Sequence, residues 1–271
     1  MGRSNNPAEE EVSRDGGRRR VRLIARLDVK GENLIKGVHL EGLRRVGSPV
    51  EFATKYYAEG IDEILFMDVV ASLYGRAQLL DIVRKTAEST FVPLTVGGGV
   101  RTVEDFEQLL RAGADKVALN TAALRDPSLV SDLAQRFGSQ SVVLSIEARR
   151  SNGGGWEALT DNGRERSGRD VVQWAVEATA LGAGEVLVTS VDREGTRSGF
   201  DVELTSAVAN HVSTPVVASG GMGSMDHLVD VAQQAEISGI AMADVLHFNR
   251  MTVESVRRAA REAGIDVREY A

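Results

Sequence analysis

Eight short apolar runs rich in β-forming residues recur from residue 21 onward, and amphipathic stretches of helical period separate them. The runs are VRLIARLDV (21–29), EILFMDVV (63–70), VPLTV (92–96), KVALN (116–120), SVVLSIEA (141–148), EVLVTSV (185–191), TPVVAS (214–219) and SGIAMA (238–243). Such alternation marks parallel βα units, because two parallel strands need a crossover long enough to hold a helix. The segment SPVEFATKYYAEG opens on Ser48 and Pro49 as N-cap and first helical residue, and both it and TVEDFEQLLRAG close in Gly. Eight units in about 250 residues predict an α/β chain folded as a (βα)8 TIM barrel. A doubly wound open sheet is the alternative, but nothing like GxGxxG follows the first run.

The chain also repeats at about half its length. YYAEGIDEILFMDV parallels ATALGAGEVLVTSV, with Gly60 and Gly182 separated by 122 positions. TVGGGV parallels ASGGMG, with Gly98 and Gly220 at the same separation, and LDVK parallels IEAR, with Asp28 and Glu147 separated by 119. Three landmarks in one order predict two similar half-barrels with two related sites across a pseudo-twofold axis. Residues 21–271 are read as a single barrel domain. Residues 1–20 are polar, of mixed charge and without an apolar core, and are expected to be a disordered extension rather than a signal peptide or anchor.

With no Cys, the chain has no disulfide, no thiolate metal site and no cysteine nucleophile. Its net charge of −7 gives no general attraction to nucleic acid or anionic lipid, so an anionic ligand needs a local site. No run reaches the ~18 apolar residues of a membrane span, and a cytoplasmic location is expected. His39, His211, His227 and His247 show no ligand spacing, so no metal is expected.

Barrel chemistry collects at the C-terminal ends of strands. Asp28 and Glu147 stand there on opposite sides of the ring, where two acids can divide proton donation and abstraction if their surroundings hold their pKa values apart. Successive glycines at a strand end let backbone N–H groups converge on an anion. Gly97, Gly98 and Gly99, with Asn120 and Thr121, make one candidate phosphate cradle. Ser219, Gly220, Gly221 and the loop at Gly195 make the other, and the duplication suits a bisphosphate. Residues 150–168 read as a glycine-rich hairpin after the fifth strand, with Trp156 in a surface contact.

LDVK, KGVHLEGLR, GIDEILFMDVVAS, LTVGGGVRTVED, LLRAGADKVALNTAA, RFGSQSVV, LGAGEVLVTSVDREGTRSGFD and VVASGG follow in order along residues 22–265. In these the chain resembles the cyclase subunit of imidazole glycerol phosphate synthase, a (βα)8 barrel of histidine biosynthesis. The resemblance implies a bisphosphorylated aminoimidazole-carboxamide ribonucleotide as substrate and ammonia from a separate glutamine amidotransferase. It implies a lyase-cyclase reaction without metal or organic cofactor. It places the flexible-loop lysine at Lys36. It also places a ring of four charged residues, the ammonia entrance and glutaminase docking face, at Arg22, Glu63, Lys116 and Glu185 on the barrel floor.

The mouth departs from the family pattern. The second catalytic Asp is Glu147, the Asp-Arg-Asp-Gly loop reads Asp192, Arg193, Glu194, Gly195, and a phosphate-binding Ser is Asp244. A carboxylate beside a phosphate dianion costs on the order of kcal/mol even at an effective dielectric near 20. Arg26 replaces the usual Cys and shares an interior strand face with Arg22, Ile24 and Asp28. Burial demands a partner, and Glu147 or Asp68 is expected to supply it, an ion pair that would lower the Glu147 pKa. Preserved floor and altered mouth suit a diverged copy that delivers nitrogen to another acceptor, such as a surface sugar. The alternative is the authentic lyase-cyclase. A third, the sister phosphoribosyl isomerase, needs no ammonia entrance.

Overall fold

The structure is a computed structural model that describes residues 20–70 and 73–269. The expected extension, residues 1–20, lies outside the described residues except for Arg20. In chain order the elements are β1 (Arg22–Lys30), β2 (Asn33–Val38), β3 (Glu41–Gly47), α1 (Pro49–Ala58), β4 (Glu63–Asp68), α2 (Leu73–Ser89), β5 (Leu94–Gly97), α3 (Val103–Ala112), β6 (Lys116–Leu119), α4 (Thr121–Arg125) and α5 (Ser128–Phe137). There follow β7 (Val142–Arg150), β8 (Trp156–Thr160), β9 (Glu165–Asp170), α6 (Val171–Ala180), β10 (Glu185–Ser190), α7 (Val202–Ala209), β11 (Val216–Ser219), α8 (Met225–Gln234), β12 (Gly239–Met242), α9 (Asp244–His247) and α10 (Val253–Glu262).

The strands β1, β4, β5, β6, β7, β10, β11 and β12 pair in parallel in that order, and β12 returns to β1. This closed eight-stranded (βα)8 barrel leaves no parallel edge exposed. The eight apolar runs of the sequence are these strands, their ends shifted by no more than two residues. α1 begins as its sequence dictates, with the Ser48 hydroxyl accepting from Glu51 N–H and Pro49 opening the helix. α3 is capped by Thr102 and stops at Gly113, whose φ of 115° only Gly adopts freely.

Alternation along β1 sorts its side chains between two cores. Leu23, Ala25, Leu27 and Val29 face outward into the layer shared with the helices, where Trp174, Phe106 and Tyr56 are also buried. Ile24 faces inward and packs with Leu65, Met67, Ala118, Val143, Leu187, Val217 and Ala241 as an apolar plug across the barrel interior. Arg22 lies below that plug on the same face, while Arg26 and Asp28 lie above it.

The half-chain repeat is structural. Gly98 and Gly220, with φ of 100° and 90°, turn the chain at the ends of β5 and β11. Two antiparallel ribbons extend the first strand of each half beyond the barrel rim: β2–β3 from β1, with Asp28 beside Ile35, and β8–β9 from β7, with Glu147 beside Leu159. Leu40 at the tip of the first ribbon packs with Leu159 of the second and with Val191 after β10. The second ribbon is the hairpin expected after the fifth strand. Trp156 stands on it with its indole N–H donating to Asp201 at 3.1 Å.

Candidate active site

Inward-facing residues at the ends of β1, β7, β10 and β11 bring Arg26, Asp28, Glu147, Thr189 and Ser219 together above the plug, each at most 4% exposed. Charged groups so far from water need partners. Arg26 Nε donates to Asp28 Oδ1 at 2.9 Å, and its Nη1 donates to the hydroxyls of Thr189 at 2.8 Å and Ser219 at 3.0 Å. Lys36 Nζ lies 3.8 Å from Asp28 Oδ2 and forms its shortest ion pair with Glu194. Two buried cations thus face two buried carboxylates, and the group is neutral by itself.

The expected Arg26–Glu147 pair is not the one formed. Asp28 is two residues along the same strand face, so the guanidinium reaches it without crossing the mouth. Asp68, the other expected partner, makes none of the hydrogen bonds of Arg26. The expected direction for Glu147 also reverses. Burial pushes its carboxyl up to about 7, against the more distant Arg26 charge, the Gly163 N–H and the Asn120 amide, whose Nδ2 donates to Oε2 at 2.7 Å. At Asp28 burial acts upward too, but the adjoining Arg26 and then Lys36 outweigh it, and the carboxyl lies below its ordinary range. One acid is held ionised while the other titrates near neutrality.

Lys36 is likewise not on an open loop. It belongs to β2, is 6% exposed, and is folded into the ion cluster beneath the ribbon. The ribbon is fixed further by His39, whose backbone N–H donates to Glu194 O at 2.8 Å and whose Nδ1 meets Val191 O at 2.8 Å.

The two cradles read from glycine spacing have different fates. Gly98, Gly99, Asn120 and Thr121 border a cavity of about 730 Å³ whose base holds Ser145 and Glu147 and whose walls carry Arg101, Arg125 and Arg164. Gly97 ends β5 beside it, buried between Met67 and Ala118. The Thr121 hydroxyl is engaged by Asp161 N–H at 3.0 Å. On the other half Gly195, Ser219, Gly220, Gly221 and Asp244 meet as expected, but Arg26, Lys36 and Glu194 stand among them. The space remaining is about 20 Å³, which is room for about one water. Asp244 is held at the rim by Arg250 at 3.0 Å and Arg197 at 3.9 Å. Thr189, Ser145 and the three arginines were not singled out from sequence. Period-two alternation on β10 and β7 would have placed the first two inward with Glu185 and Glu147, whereas the arginines lie in turns and a helix without such periodicity.

At the opposite end Arg22, Glu63, Lys116 and Glu185 form one closed ring of alternating sign. Lys116 Nζ lies 2.7 Å from Glu63 and 2.6 Å from Glu185, while Arg22 donates to Glu63 at 2.5 Å and also to Glu185. The Thr95 hydroxyl adds a bond to Glu63 at 2.6 Å. Burial would raise the Glu185 carboxyl, but Lys116 and Arg22 together carry it below its ordinary range. The ring sits directly under the apolar plug, on the barrel axis. Among the described residues no group of three or more His, Asp or Glu could hold a metal ion, and no helix is long and apolar enough to cross a membrane.

A family model described as histidine biosynthesis protein matches residues 22–252. Imidazole glycerol phosphate synthase subunit HisF of Legionella pneumophila is 65% identical over 206 residues, covering 76% of this chain and 97% of the relative. The proteins of the same name from Mycobacteroides abscessus and Streptomyces coelicolor are each 50% identical, over 254 and 248 residues, covering 92% of this chain and 98% of each relative. The interior acids, the paired glycine turns and the ringed floor accordingly sit in a barrel of known kinship, and the chain belongs to the histidine biosynthesis family as a HisF-like cyclase subunit.

Proposed function

We propose that this barrel accepts ammonia from a glutaminase partner through the ringed floor and is a diverged copy that delivers the nitrogen to an acceptor other than the family's bisphosphorylated ribonucleotide, such as a surface sugar. The observation that carries the reading is Arg26. Its guanidinium binds the carboxylate of Asp28, one of the two candidate acid/base residues, and lies on the Ser219 hydroxyl that a second phosphate would need. A neutral nucleophile suits the route, because ammonia crosses an apolar plug at far lower cost than ammonium. The relatives' names describe subunits of a synthase, which supports a second chain as the nitrogen source.

The authentic lyase-cyclase is the second reading, and one observation favours it. Asp28 ionised beside Glu147 titrating near 7 is the division of labour that general acid–base catalysis requires. Arg26 nevertheless occupies one oxygen of the would-be base, and the space left at the second glycine turn is about 20 Å³. Reconstitution with a glutaminase subunit tests the preferred reading. The partner is expected to copurify with the full chain, and Lys116→Glu, which leaves three carboxylates around Arg22, is expected to lower its affinity at least tenfold, or about 1.4 kcal/mol. Association indifferent to that charge reversal would remove the docking role of the floor.

A further inference from the structure

A buried Tyr–His pair stands behind the ion cluster and takes no part in the chemistry proposed for the mouth. The Tyr56 hydroxyl of α1 meets His247 Nδ1 of α9 at 2.7 Å, and the two rings stack with centroids 5.9 Å apart and planes 18° apart. Phe52 adjoins them edge-on, its centroid 5.8 Å from that of the imidazole. A third apolar ring would satisfy packing alone. Instead a tyrosine 1% exposed meets a histidine 4% exposed, which takes two polar side chains out of water.

Barrel register shows what the pair faces. β12 accompanies β1 only as far as Met242 beside Ala25, and the chain then turns into α9 at Asp244. Peptide groups of alternate residues face the same neighbouring strand. Arg22 N–H donates to Ser238 O on the β12 side at 3.0 Å, so the Arg26 peptide groups face that side too, at the point where the strand has ended. His247 fills the place. Its Nε2 is buried without a close hydrogen-bond partner, and the backbone oxygen of Arg26 is the acceptor that bears on the ring. Burial and then Lys36 carry the imidazole down to about 4, against Asp28 and that oxygen, so the ring is neutral at pH 7. Burial and Glu59 hold the Tyr56 phenol above its ordinary range, and its proton stays. With the hydroxyl donating to Nδ1, the single ring proton stands on Nε2. The opposite assignment would leave the hydroxyl proton unused and turn a bare Nε2 toward an oxygen.

We infer that Tyr56 and His247 are positioning residues for Arg26: the hydroxyl orients the imidazole, and the imidazole Nε2–H holds the Arg26 backbone where β12 leaves it, so that the guanidinium spans Asp28, Thr189 and Ser219. The relay runs from α1 through α9 into β1 and supports the filled half of the mouth from behind. It deepens the delivery reading, which rests on Arg26, by naming what keeps that residue in place. Its test uses the full chain without a glutaminase, so failure of the relay and failure of docking are separate results.

Nuclear magnetic resonance of the 15N-labelled full chain at pH 7 provides that test. The parent is expected to show His247 as the Nε2–H tautomer and a slowly exchanging Arg26 Nε proton. Tyr56→Phe removes one oxygen and keeps the ring, and should accelerate that exchange at least about tenfold. The Arg257 guanidinium, 2.7 Å from Asp62 at the far end of the barrel, should keep its rate. His247→Phe should accelerate the Arg26 proton likewise, and His247→Gln, which returns an N–H donor near the place of Nε2, should restore most of the protection. A pair that only filled space would leave the Arg26 proton as slow in Tyr56→Phe as in the parent. That result, an Nδ1–H tautomer in the parent, equal acceleration at Arg257, or His247→Gln exchanging as fast as His247→Phe would each overturn the inference.

Discussion

Asp28 and Glu147 hold equivalent places in the two halves, yet their surroundings push them in opposite directions. The Glu147 carboxyl titrates near 7 when folded against an ordinary value of 4.5, so between those values the folded state binds more protons than the unfolded chain. Stability from this group is therefore full below about pH 4.5 and is lost as pH rises through 7, by about 3 kcal/mol in all. Glu147→Gln removes the titration, and its melting temperature relative to the parent is expected to climb between pH 5 and 8. A constant difference across that range would show that the carboxyl titrates normally. Arg26→Met should cost about 3–5 kcal/mol in urea unfolding at pH 7, because Asp28 then stays buried with only Lys36 nearby. That Arg26 faces inward and must be paired was legible from alternation along β1. Which acid it pairs with was not, because the choice depends on distances across the mouth that spacing along one strand does not contain.

Among elements, the two ribbons were legible to different degrees. The second announces itself by SNGGGW and DNGR, turn residues on both sides of a short apolar stretch. The first, NLIKGVHLEGLRRVG, lacks regular alternation, since both Leu34 and Ile35 are buried and its pairing shifts register twice. Lys36 consequently read as a loop residue. Leu40, with φ of 63°, is held in a conformation a branched side chain resists, and its burial against Leu159 and Val191 is the compensating contact. Leu40→Ala removes most of that contact. Hydrogen exchange of residues 33–47 is expected to accelerate while barrel strands keep their protection, a local opening rather than global unfolding. Uniform acceleration throughout the chain would instead make the ribbon part of the cooperative core.

At the scale of the whole molecule, strand count, closure and the half-chain repeat were all written in the sequence, because each follows from period-two runs and glycine turns that act locally. The asymmetry of the mouth was not. It arises where Arg26 of β1 and Lys36 of the adjoining β2 meet Glu194 from the loop after β10 and Ser219 from β11, in one half only. The floor is a ring of alternating charges, and each group in it answers two of opposite sign. Lys116→Met leaves Glu63 and Glu185 sharing Arg22 and is expected to cost about 3 kcal/mol in urea unfolding; a loss below 0.5 kcal/mol would class the ring with weak surface pairs. Nitrogen delivery without cyclisation, as proposed, rests on this ringed floor and on a mouth half-filled by the chain's own ion cluster of Arg26, Lys36, Asp28 and Glu194. Turnover of the bisphosphorylated aminoimidazole-carboxamide ribonucleotide by the full chain, supplied with saturating ammonium salt at pH 8, tests that claim most directly. No imidazole glycerol phosphate above the uncatalysed background is expected, and sustained multiple turnover would contradict the account.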